Sequence, residues 1–142
     1  MKAKDFFRHV LFAEKELKLI RAKIQHYEDL GLSISGGGMD SPMVSHSVGT
    51  SRVEAAAMGI FDNTLKLQQR AKEYVEVINR AEAIIQQIPQ ERYRQILTYR
   101  YLAGWSFRSI SDELGYSAPK SVYHAHGFAL EVAQGIIDKA VK

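Results

Sequence analysis

The chain has 142 residues, 46% of them hydrophobic and 25% charged, the balance of a folded globular protein rather than a disordered one. It contains no cysteine, which excludes disulfides, thiolate catalysis and Cys-based zinc sites, and no apolar run approaches the roughly 20 residues that a bilayer demands. Its 19 Lys and Arg against 16 Asp and Glu leave a net charge of +3, which permits contact with nucleic acid without requiring it.

Up to residue 88 there are 12 basic and 11 acidic side chains, net +1, and from Pro89 onward 7 and 5, net +2. The opening stretch mixes charges through its apolar positions and offers no signal-peptide block, so a cytoplasmic protein is expected. A first helix is predicted over residues 4–30. Phe6, Val10, Ala13, Leu17, Ile20, Ile24 and Tyr27 follow at spacings of 4, 3, 4, 3, 4 and 3, the stripe of a coiled-coil seam. Gly31 is the expected stop. Residues 31–50 hold five glycines, five serines and a proline. With no Lys-Ser or Lys-Thr after the triple glycine, a flexible linker is expected.

A second, long helix is predicted over residues 51–88, opened by a capping box of Ser51 and Glu54. Its seam runs Val53, Ala57, Ile60, Thr64, Leu67, Ala71, Tyr74, Ile78, Ala81, Ile85 and Ile88. Two such seams predict an antiparallel helical hairpin or an intermolecular coiled coil, and the small residues Ala57, Ala71 and Ala81 allow close approach. Dimerisation through these helices is the expected use.

Residues 89–142 are predicted to form a run of shorter helices. Pro89 suits a first helical turn, and Tyr93, Ile96, Leu97, Arg100 and Tyr101 share one face. Gly104 breaks that helix. Ser106 is placed to cap the next, whose Phe107, Ile110 and Leu114 fall on one buried face. Gly115 ends it. Ser117 is then read as the cap of a last helix with Val122, Ala125, Ala129 and Val132 inward and Ile136 continuing the stripe. Trp105 reads as a hydrophobic cap and Tyr93 as core. Arg100 reads equally as a buried partner for Asp112 or Glu113 and as a phosphate contact.

A short helix, a tight glycine turn and a second helix are the signature of a helix-turn-helix. In that geometry the second helix lies in the major groove with its N-terminal residues facing base edges. Here Lys120 can bond guanine or a phosphate, Ser121 and His124 can reach base edges or phosphates, and Tyr123 can bond a phosphate through its hydroxyl. Capping by Ser117 would leave helix amides to attract phosphate. The fold expected is all-α, a long N-terminal hairpin or coiled coil followed by this element.

The stretch from Ile88 to Ser117, IPQERYRQILTYRYLAGWSFRSISDELGYS, resembles the fourth conserved region of bacterial sigma factors. It shares the proline-led start, a helix ending in Arg-Tyr-Leu, a glycine, and a helix ending in Leu-Gly. The whole layout is similar to small phage late-gene transcription regulators of the ArpU and RinA type. The resemblance implies double-stranded promoter DNA as partner, contact with RNA polymerase, and Arg94, Arg100 and Arg108 as phosphate contacts. The last helix departs from the sigma pattern, offering Lys120, Ser121, Tyr123 and His124 instead of Arg and Glu, so a different target sequence is expected.

Five histidines are scattered, and His124 and His126 point about 200° apart on a helix, so no zinc site is expected. Nothing resembles a nucleophile elbow, a dinucleotide fingerprint or an acid pair, so neither enzyme activity nor a cofactor is expected. Two alternatives stand beside the regulator: a phage terminase small subunit for DNA packaging, and an RNA polymerase adaptor that touches no DNA.

Overall fold

In a computed structural model of the chain, the alternating apolar spacings build two long helices, α1 (Ala3–Asp40) and α2 (His46–Gln86). After them come α3 (Glu91–Leu97), a π-helical turn (Thr98–Leu102), α4 (Phe107–Leu114) and α5 (Pro119–Val141). The structure describes the backbone of residues 1–40 and 46–141 and the side chains of residues 1–32 and 52–141. All regular secondary structure among the described residues is helical, as the sequence patterning requires. Among those residues no helix is long and apolar enough to cross a membrane.

The helix ends between α1 and α2 differ from expectation. α1 passes through Gly31 to Asp40, and α2 begins at His46, five residues ahead of Ser51. Helical backbone therefore occupies residues 31–40 and 46–50 of the expected linker, and residues 41–45 lie outside the described residues. Glycine allows a left-handed stop without imposing one: inside a helix it costs only about 1 kcal/mol relative to alanine, while an established helix gains a bond with each added residue. Ser51 sits inside the helix, where its amide belongs to the backbone ladder, so the predicted capping box does not open α2.

The chain divides into two compact units, Met1–Glu16 with Tyr74–Lys142, and Leu17–Glu73. In the first, Ala3, Phe6, Phe7 and Val10 of α1 share a core with Ala81, Ile84 and Ile85 of α2, Leu97 and Tyr101, and Ala129, Ala133 and Ile137 of α5. A domain beginning at residue 89 would cut through this core. The reason is the breadth of the α1 face: Ala3 and Phe7, outside the predicted seam, are as buried as the seam itself, because α1 packs on more than one neighbour. Phe12 meets Tyr74 edge-on at 6.1 Å while Phe6 and Ile84 line one groove, so within this unit the two segments run antiparallel. In the second unit Leu17, Ile20 and Leu67 are buried. Val53 and Ala57, seam positions by sequence, are exposed there.

Pro89 does not occupy a first helical turn. Gln90 is the N-cap residue of α3, and the preceding corner is tied by Arg94, whose Nη1 donates to the Ile88 carbonyl and, at 3.1 Å, to that of Pro89. A second, smaller core of Ile96, Ile110 and Val122, with Tyr99, Trp105, Phe107, Leu114, Tyr116 and Ala125 around it, joins α3, α4 and α5.

Candidate nucleic-acid interface

The corner between α4 and α5 is built from local chemistry. Ser106 caps α4, its Oγ accepting from the Ser109 amide at 3.1 Å. At the other end Gly115 takes a left-handed φ of 77°, a conformation that costs a side-chain-bearing residue roughly 1–2 kcal/mol. The Tyr116 amide then closes back on the Ser111 carbonyl at 3.0 Å, and Ser111 Oγ donates to the Tyr116 carbonyl at 3.3 Å. Arg92 holds the same corner from outside: Nη1 donates to the Leu114 carbonyl at 2.8 Å, with the guanidinium 5.3 Å from the Tyr116 ring centre. Sequence reasoning passed over Arg92, because only the fold brings residues 92 and 114 together.

α5 starts differently from expectation. Pro119 is its first helical residue, where the fixed φ suits a helix start, and the Ser121 amide donates to the Ala118 carbonyl at 3.1 Å. No hydrogen bond joins Ser117 to the α5 amides among the described residues, so Ser117 is not the predicted cap. Since Pro119 has no N–H and the Ser121 amide is engaged, side chains carry most of what this helix end offers an anion.

Those side chains stand clear. Ser117, Lys120, Ser121, Tyr123 and His124 are all exposed, Tyr123 by 58%. The Tyr123 ring rests edge-on against Phe107 at 5.4 Å, which braces it without covering it. Arg108, the second residue of α4, is exposed as well. Arg94 is half-buried and serves the α2–α3 corner described above. Arg100 does not pair with Asp112 or Glu113, which are exposed: its Nη1 donates to the Trp105 carbonyl at 3.0 Å and its guanidinium lies 4.4 Å from the Phe107 ring centre. It closes the loop that Gly104, at φ 75°, turns. Trp105 stacks on Tyr99 at 4.4 Å and 17°, and Tyr93 packs half-buried on the main core.

Behind the exposed edge lies a polar pair that the sequence pattern did not mark. His126 and Tyr101 are buried, and the Tyr101 hydroxyl sits 2.6 Å from His126 Nε2. Burial, then the charges of Arg100 and Lys4, lower the His126 pKa to about 4, and burial raises that of Tyr101. Near neutrality the imidazole is uncharged and the phenol protonated, so two neutral groups share this hydrogen bond inside the fold. The inward stripe of α5 is consequently Val122, His126, Ala129, Ala133 and Ile137, about one position round from the prediction, with Ala125, Val132 and Ile136 half-buried. His124 points outward and His126 inward, as their spacing requires. Comparison of the chain with family models, with curated proteins and with solved structures gave no match.

Proposed function

We propose that the chain is a sequence-specific DNA-binding transcription regulator of the phage late-gene kind, in which α4, the Gly115 corner and α5 act as a helix-turn-helix. The observation that carries this reading is the exposed Lys120, Ser121, Tyr123 and His124 on the first two turns of α5, beyond a corner held by Gly115, Ser111 and Arg92. Such an edge has the donors to meet bases in the major groove, with Arg108 placed for a phosphate. Arg94 and Arg100, engaged in backbone carbonyls, are left out of the reading surface. The N-terminal helices serve self-association. Val53, Met58, Phe61 and Leu65 are 44 to 67% exposed, and Met58, Phe61 and Leu65 stand one turn apart along α2, an arrangement that supports burial against a second copy.

Selection of duplexes from a random pool, followed by titration of parent and Lys120→Ala, tests the reading. A base contact predicts a loss of about 1–3 kcal/mol on the selected site; a phosphate contact alone predicts a salt slope shallower by about one. Absence of duplex binding by the parent, with RNA polymerase still retained, would instead support the adaptor. Light scattering separates a dimer from the large ring of a packaging subunit.

A further inference from the structure

The first turns of α1 are fastened to the C-terminal helices at several points. Gln134 of α5 accepts from the Ala3 amide at 2.6 Å and donates to the Met1 carbonyl at 2.9 Å. Phe7 packs on Tyr101 at 5.2 Å, and Leu11 Cδ1 lies 3.9 Å from where a Cβ on Gly104 would stand. These contacts fix the rotation of α1 about its axis, and so decide where its polar residues point.

Ala3, Phe6, Phe7, Val10 and Ala13 are buried, and three basic residues cluster along one flank of that face. Lys4, Arg8 and Lys15, all exposed, fall within about 40° of one another around the helix and adjoin the Phe7 and Leu11 side. Asp5 and Glu16 lie about 90° further round the helix, with Phe12, which faces Tyr74 of α2, and the half-buried Glu14 falls on the Phe7 side. The basic flank therefore borders the neighbourhood of Tyr101, Gly104 and His126. Tyr123, part of the exposed α5 edge, has its ring 6.3 Å from that of His126. The charges of Lys4 and Arg8 are close enough to influence the titration of His126 and Tyr101 respectively.

We propose that Lys4, Arg8 and Lys15 extend the duplex-binding surface, contacting phosphates beside the segment that α5 reads. The inference rests on the DNA-binding reading and gives α1 a part in it beyond self-association. From Lys4 to Lys15 the helix spans about 16 Å, a length over which a duplex presents several phosphates at one charge per roughly 1.7 Å. A row of cations on a rigid helix meets them without regard to base sequence.

The test compares the parent with K4Q/R8Q/K15Q and with K66Q/R70Q/K72Q, which removes equal charge from exposed α2 positions in the other unit. Affinity for the selected duplex and for a scrambled one is measured across salt concentration. The α1 variant is expected to lose about 2–3 from the salt slope while keeping its discrimination between the two duplexes; the control is expected to lose less than half as much. Equal slopes for the α1 variant and the control overturn the inference alone, whereas a parent that binds no duplex overturns the DNA reading with it. Should the triple variant fail to show native helicity by circular dichroism, Arg8→Gln alone takes its place, with an expected slope change of about one and no change as the refuting result.

Discussion

The Tyr101–His126 pair makes the stability of the fold depend on pH in a direction and window that follow from its surroundings. His126 titrates near 4 in the folded chain, against 6.5 for an ordinary histidine. The unfolded chain therefore binds the proton first as pH falls, and stability present above about 6.5 is lost progressively down to about 4. Between about pH 7.5 and pH 5 the linkage amounts to about 1–2 kcal/mol, a fall in Tm of about 2–8 °C for a chain of this size. Thermal melts followed by circular dichroism at the two pH values measure it in the parent and in His126→Leu. The variant should be less stable at neutral pH by about 1–3 kcal/mol, because the buried Tyr101 hydroxyl loses its hydrogen-bond partner, and its pH dependence should be shallower. Adding Tyr101→Phe should restore part of the loss by removing the orphaned group. Parallel pH profiles for parent and His126→Leu would refute the reasoning.

Gly115→Ala should cost about 1–2 kcal/mol from backbone conformation alone, since a Cβ there meets nothing within 4 Å; an unchanged Tm would show that the left-handed corner is not required. Arg94→Gln should lower stability by about 1 kcal/mol and leave the DNA salt slope unchanged. Arg108→Gln should do the reverse, shifting the slope by about one with stability within about 0.5 kcal/mol of the parent. Exchange of these two outcomes in the melts and titrations would contradict the placement of the two arginines.

Local chemistry was the most legible part of the sequence. Ser106 and Gly115 act where their residue types demand, one as an oxygen acceptor at a helix start and the other as a chain reversal that other residues resist. The seams were also legible wherever a helix covers them, from Phe6 to Ile20 in α1 and from Leu67 to Ile85 along the end of α2. Illegible features depended on partners distant in sequence. Phe7 is core because Tyr101 stands opposite, and His126 is core because the same tyrosine supplies its hydrogen bond; periodicity weighted toward apolar residues assigns such a histidine to the surface. Gly31 and Ser51 misled for the opposite reason, their stop and start preferences being small against the continuity of long helices. Pro89 misled by two residues and Ser117 by one, positions that backbone geometry at the corners decides. In the candidate site, the exposure of Lys120, Ser121, Tyr123 and His124 follows from helix phase, whereas the engagement of Arg94 and Arg100 with carbonyls could not be read without the corners they close.

Methylation interference on a selected duplex puts the proposed helix-turn-helix to its most direct test. Dimethyl sulfate marks guanine N7 in the major groove and adenine N3 in the minor groove, and with α5 inserted as proposed, a compact patch of N7 positions should block binding while N3 positions should not. Interference confined to adenine N3, or binding that tolerates every methylated guanine, would contradict the account.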